Sequence, residues 1–185
     1  MSWIRQIHET DAAGKVARVY NKIQEKRGRL SNIMRVQSLA PEAMDAHMDL
    51  YLAIMFGKGG LSRAERELMA VVVSVENGCE YCTLHHAAAL EAWWKDPERV
   101  AGLREDPDHA DLNPREAALA EYARILTRHP QNMAAQHLEP LRAHGLTDEE
   151  ILQANMVVSY FNFVNRIAQG LGVSAPPDEV GGYKY

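Results

Sequence analysis

Glu67-Leu-Met-Ala-Val-Val-Val-Ser-Val-Glu-Asn-Gly-Cys79-Glu-Tyr-Cys82-Thr-Leu-His-His86 is the stretch that decides both fold and chemistry. Its apolar first half follows Ser62-Arg-Ala-Glu65, a capping box in which the serine caps and the glutamate reaches back. The β-branched residues 71–73 therefore belong to a helix, not to a strand. Asn77-Gly78 breaks that helix and places Cys79 at the start of the next one. Cys79 and Cys82 are the chain's two cysteines, spaced C-x-x-C, with His86 four residues beyond Cys82. On a helix these three side chains fall within roughly 60° of one another. Cys82 and His86 have the i,i+4 spacing at which helical side chains touch. Unpaired N–H groups and the positive end of the helix dipole favour a thiolate over a thiol. A neighbouring histidine can take the proton or, once charged, hold the thiolate. In outline this is a redox-thiol site.

Upstream, Val16, Val19, Tyr20 and Ile23 recur at helical spacing from about Ala12 until Gly28, after an extended lead-in over residues 1–10. Residues 32–39 suit a short helix. Pro41 then opens a helix carrying Met44, Met48, Leu52 and Met55, methionines that read as core filling. Downstream, the motif helix runs to about Trp94 and stops at Asp96-Pro97, and residues 96–112 hold one short helix. Asn113-Pro-Arg-Glu116 starts a helix that ends at His129-Pro130, and a further helix is expected over about 133–143. Gly145-Leu-Thr-Asp-Glu-Glu150 opens the last long helix, to Gly170, and echoes Gly60-Leu-Ser-Arg-Ala-Glu65. Under that alignment Glu67, Cys79, Cys82 and His86 face Leu152, Val164, Ile167 and Leu171, a packing copy without chemistry. No segment shows sustained period-two alternation between hairpin turns. The expected fold class is all-α, a helical bundle with a weak internal two-half repeat. One domain over 1–185 is expected, with the core motif in about 41–95, a C-terminal helical half in about 113–172 and a tail over 173–185. The tail, with Pro176-Pro177 and Gly181-Gly182, should run extended over the surface or a neighbouring subunit.

Composition narrows the function classes. Net charge is −5 with no Lys/Arg block, which argues against nucleic acid as a partner. No apolar run approaches the ~20 residues of a membrane span. The start, Met-Ser-Trp-Ile-Arg-Gln, lacks a signal-peptide core, and two neighbouring cysteines are not a secreted disulfide framework. A cytoplasmic protein with a reactive cysteine pair fits these features.

Glu67, Cys79, Cys82 and His86 together reproduce the pattern E-x11-C-x2-C-x3-H. In this the chain resembles the alkylhydroperoxidase AhpD family within the carboxymuconolactone decarboxylase superfamily. Asn32-Ile-Met-Arg-Val and Tyr160-Phe-Asn-Phe-Val-Asn-Arg-Ile-Ala are similar to the peroxidase-related branch. The resemblance implies an AhpD-like helical core assembled as a homo-oligomer, a trimer or hexamer. It also implies a thiol-dependent hydroperoxide reductase in which Cys82 attacks the peroxide and Cys79 closes a disulfide with it. An external dithiol of lipoyl or thioredoxin type would then restore both. Glu67 and His86 would relay protons, with no cofactor and no metal. At the position where the family's best-known form has a histidine stands Tyr81, which cannot act as that base at neutral pH.

Other assignments stand beside this one. Buried cysteines can be plain apolar residues, and Cys79, Cys82 and His86 with a fourth ligand could hold zinc. Helix position favours Cys79 as the more acidic thiol, whereas contact with His86 favours Cys82. His85 points about 100° away from His86 and is expected to face elsewhere. Glu76 and Glu80 are expected to be solvated. A non-catalytic redox-sensing or binding module is the main alternative function, and a decarboxylase-type lyase is a further one.

Overall fold

The computed structural model describes residues 2–176, 179–180 and 183–184. Among these, the chain forms α1 (Gly14–Arg27), α2 (Asn32–Arg35), α3 (Pro41–Phe56), α4 (Arg63–Glu76), α5 (Glu80–Trp94), α6 (Pro97–Glu105), α7 (Pro114–Arg128), α8 (Glu139–Ala143) and α9 (Asp148–Gly170). No strand occurs among the described residues, so the fold is all-α.

The capping chemistry sets the helix starts. Glu65 N–H donates to Ser62 Oγ at 3.2 Å, and Ser62 N–H donates to Glu65 Oε2 at 2.6 Å. Thr147 and Glu150 form the same reciprocal box at the start of α9. Arg115 ties the two boxes together, reaching Glu65 at 2.6 Å and Glu150 at 3.0 Å. The two halves therefore echo each other where their long helices begin. They diverge at Gly78, whose φ of 62° breaks the helix before Cys79. Phe163 stands at the equivalent position and α9 runs on unbroken.

Residues 66–74 of α4 are all buried, so this helix has no solvent face and lies inside the bundle, against α5, α7 and α9. Leu68, Met69, Val71, Val72 and Val73 are fully buried. At about 1.5–3 kcal/mol each they make α4 the main anchor of the larger core. A second, smaller core joins α1, α2 and α3 through Val19, Tyr20, Ile23, Met34, Met44 and Met48. The seam between the two cores is where the candidate site lies.

Two stretches differ from expectation. Over 133–143 the chain starts with a 3-10 turn, Ala135–Leu138, and only Glu139–Ala143 is α-helical. Pro140 explains this: without an N–H it fits only the first helical turn. The tail folds back on its own chain. Lys184 N–H donates to Arg27 O at 2.9 Å, and Glu179 is buried against Asn32 and Tyr81. The expected prolines and glycines at 177 and 181–182 lie outside the described residues.

Candidate active site

Cys79 occupies the N-cap position of α5, as the Asn77-Gly78 break requires, and Cys82 sits in its first turn. Both are free thiols, buried to all but 2% of their surface, with Sγ atoms 2.8 Å apart. The hydrogen bond from Cys82 holds the Cys79 thiol below its ordinary value against the opposing effect of burial. The same contact with Cys79, and burial, push the Cys82 thiol up. Two sulfurs this close share their first ionisation, so the low first step belongs to the pair. Behind Cys82 lies a buried amide network. Asn77 Nδ2 donates to Asn165 Oδ1 at 3.0 Å, and Asn165 Nδ2 donates to Ser74 Oγ at 3.3 Å. A hydrogen bond from Asn165 to Cys82 works against its upward shift by favouring the thiolate.

Glu67, fully buried, faces the motif helix across the Asn77-Gly78 break. Its Oε2 lies 2.7 Å from His86 Nδ1, and its Oε1 accepts from Arg63 Nε at 2.8 Å and from a second Arg63 nitrogen at 2.5 Å. Burial alone would push the Glu67 carboxyl up, but His86 and Arg63 outweigh it and hold it below its usual value. A carboxylate at Nδ1 fixes the imidazole with its proton there, which leaves Nε2 as the basic nitrogen. Phe161 holds the ring edge-on at 4.3 Å between centroids.

Cys82, Glu67 and His86 line one cavity of about 90 Å³ in the seam between the cores, walled by Ile23, Met34, Met48, Tyr51 and Val164. Two of its polar residues, His47 and Tyr160, belong to a directed chain that starts at Gln37 outside the lining. Gln37 Nε2 donates to Ile33 O at 2.7 Å, which leaves Gln37 Oε1 to accept from His47 Nδ1 at 2.9 Å. His47 Nε2 then accepts from the Tyr160 hydroxyl at 2.7 Å. Burial pushes His47 down to about 4, so the ring stays neutral and the chain keeps its direction. The Tyr160 oxygen keeps a lone pair that can accept a hydrogen bond. Arg27 and Arg29 add positive charge to the cavity wall.

The structure brings together all four residues singled out in the sequence, with Cys79 one turn behind the cavity wall. Two expectations need correction, those for His85 and Glu76. His85 also lines the cavity, because Tyr183 packs on its far side at 5.5 Å between centroids and Glu179 Oε1 lies 3.6 Å away. Burial pushes it down to about 3. The Glu76 side chain is only 2% exposed, since Arg128 folds over it as an ion pair; Glu80 is exposed as expected. Tyr81 takes a bridging role, donating its hydroxyl to Glu179 Oε1 at 2.7 Å while accepting from Ile33 N–H at 3.1 Å. Among the described residues no group of three or more His, Cys, Asp and Glu is placed to hold a metal ion.

The sequence pattern of the carboxymuconolactone decarboxylase family matches residues 41–124, which span the capping box, both cysteines, Glu67 and His86. A peroxidase-related protein from Silicibacter sp. TM1040 superposes with a TM-score of 0.88 at 28% identity, covering 99% of this chain and 96% of that one. The AhpD core of a peroxidase-related protein from Ralstonia eutropha JMP134 gives 0.88 at 25% identity, covering 97% and 94%. Residues 41–124 thus carry the carboxymuconolactone decarboxylase family pattern on a fold similar to that of AhpD-like proteins. The AhpD-like fold is also shared with the debrominase Bmp8, at 18% identity and a TM-score of 0.77 over 95% of this chain and 96% of that one. A fold found with different chemistries leaves activity to be argued from the AhpD-like site itself.

Proposed function

We propose that the protein is a thiol-dependent reductase of organic hydroperoxides. The observation that carries this is the placing of Cys82, with a second free thiol 2.8 Å behind it, on the wall of an apolar cavity that also holds His86 seated on buried Glu67. His86 Nε2 removes the proton of the cysteine pair, and Asn165 supports the thiolate on Cys82. The thiolate attacks the terminal oxygen of R–O–O–H, the O–O bond breaks, and the leaving alkoxide takes the proton from His86. Cys82 is left as a sulfenic acid. Cys79 displaces its hydroxyl, giving a disulfide and water, after the sulfurs close by about 0.8 Å to disulfide bonding distance. The Tyr160 oxygen accepts the hydroperoxide O–H, which points the reacting oxygen at the thiolate. Apolar walls favour an organic group R. An external dithiol completes the cycle, and no cofactor enters these steps.

Assembly as a homo-oligomer belongs to the same proposal, and the exposed stripe of Leu152, Met156 and Phe163 on α9 supports it. The test of function is stoichiometric tert-butyl hydroperoxide on the reduced protein, followed by peptide mapping. One equivalent should convert Cys79 and Cys82 together into an intrachain disulfide with one equivalent of tert-butanol released. Unreacted thiols, or an overoxidised Cys82 with Cys79 free, would refute the cycle.

A further inference from the structure

Arg27 ends α1 with its side chain turned inward, 6% exposed, on the wall of the cavity that Cys82 also lines. Its partners among the described residues are neutral. Nη1 donates to Lys184 O, and the guanidinium carbon lies 4.7 Å from the Phe56 ring centroid, 5.3 Å from that of Tyr51 and 5.9 Å from that of Tyr183. Arg63 makes the contrast. It stands over the same Phe56 ring at 3.8 Å, yet it also holds the Glu67 carboxylate, Nε to Oε1 at 2.8 Å. Glu67 is fully committed to Arg63 and His86, and no other carboxylate among the described residues pairs with Arg27. Buried charges are ordinarily paired, and ring faces attract a cation without neutralising it. The dipole of α1 favours a basic residue in its last turn, but that argument does not turn the side chain inward.

The cavity wall runs from this cation to the reactive sulfur. Tyr51, under the guanidinium, packs against Tyr160 at 6.0 Å between centroids. Burial pushes the Tyr160 hydroxyl far up; a Cys82 thiolate adds to that shift and Arg27 opposes it, so both charges act on one oxygen. His47 and His85 stay neutral, which leaves Arg27 and Arg29 as the positive charges of the lining. From this arrangement we infer that Arg27 anchors the far end of the substrate, and that the substrate is a short aliphatic hydroperoxide carrying a carboxylate. The inference rests on the proposed function for the reacting end of that molecule. With Nη1 given to Lys184 O, Nε and Nη2 remain to donate to the two carboxylate oxygens, the paired geometry that suits a guanidinium. The hydroperoxide group then lies toward Tyr160 and Cys82, with the carbon chain against Tyr51 and Met48. A cavity of about 90 Å³ is smaller than the ~150 Å³ that accepts benzene, so the chain has only a few carbons.

The test compares 4-hydroperoxy-4-methylpentanoate with its primary amide, which keeps the shape and removes the charge. At pH 7 the acid should oxidise the cysteine pair of the full-length protein at least 10-fold faster than the amide, and in Arg27→Gln that ratio should fall to within twofold of one. Arg27→Lys, which keeps the charge, should recover part of it. A second measurement needs neither turnover nor a variant. Inert 4-methylpentanoate should slow iodoacetamide alkylation of Cys82, mapped by mass spectrometry, at concentrations where 4-methylpentanamide does not. Equal protection by acid and amide, a wild-type ratio near one, or a ratio unchanged in Arg27→Gln overturns the inference. If Arg27→Gln does not fold, the wild-type comparisons decide alone. Protection by the acid in a protein that consumes no peroxide would uphold the anchor and refute the proposed function. Consumption of acid and amide at equal rates would uphold the function and refute the anchor.

Discussion

Glu67→Gln removes one charge from the centre of the site while keeping its shape, and its two consequences separate. At 2.7 Å, the attraction between the carboxylate and a protonated His86 is ~6 kcal/mol at an effective dielectric of about 20. Complete loss of that support would slow proton transfer by more than 10⁴-fold. The amide oxygen of glutamine still accepts from Nδ1–H and returns part of it, so the expected fall in peroxide-dependent turnover is roughly 10²–10³-fold. The second consequence falls on Arg63, whose side chain is 9% exposed and loses its counter-charge. Breaking a buried pair in this way costs about 3–5 kcal/mol. Arg63 keeps its contact with Met55 O at 3.2 Å and its place over the Phe56 ring at 3.8 Å, which points to the lower end. For a chain of this length, that corresponds to a melting temperature roughly 6–12 °C lower. Rates of thiol alkylation and peroxide consumption from pH 5 to 10, taken at 20 °C, separate the two effects. The rate of the variant should recover partly at high pH, where the thiol ionises without help. A variant that melts 10 °C lower yet reacts within threefold of wild type, with an unchanged pH profile, would make Glu67 purely structural and refute the relay.

Serine replacements should split the cycle. Cys82→Ser should abolish peroxide consumption, whereas Cys79→Ser should accumulate a sulfenic acid on Cys82, trapped by dimedone, and fail to turn over. The stability of the protein should fall in mild acid because His47 must gain a proton on unfolding. With its folded value near 4 and its ordinary value at 6.5, the unfolded chain binds the extra proton between these limits. The contribution is whole above pH 6.5, declines as pH falls toward 4, and is worth roughly 3 kcal/mol across the window. Urea titrations of wild type and His47→Gln should converge as pH falls from 7 to 4.5; a constant gap would show that His47 does not stay neutral. Sedimentation at micromolar concentration should give a mass well above 20.8 kDa, and a monomer would contradict assembly through the α9 stripe.

The local part of this architecture was legible because its signals are local. A capping box, a glycine break and three residues within two turns placed Cys79, Cys82 and His86 on one helix, and Glu67 one helix earlier. The helix expected over 133–143 is cut short because Pro140, lacking an N–H, fits only a first helical turn. The cavity wall was out of reach for a different reason. His47 meets Tyr160 across 113 positions, and Asn32 meets Glu179 across 147. No periodicity encodes such pairings. His85 shows the limit well: its direction on the helix was read correctly, and what lies in that direction is supplied by Tyr183 and Glu179. Arg63 was within reach, four residues before Glu67 on the same helix.

The docked tail also leaves a mark on backbone chemistry far from its own position. The first amides of a helix have no acceptor within it, and those of α2 borrow theirs. Asn32 N–H donates to the Glu179 carboxylate at 2.6 Å, and Ile33 N–H to the Tyr81 hydroxyl, which that same carboxylate holds. Lifting Glu179 away exposes the Asn32 amide to solvent without unwinding any helix. Deuterium uptake at Asn32 therefore counts the openings of the tail, on a timescale of minutes to hours, while amides inside α4 report only global unfolding.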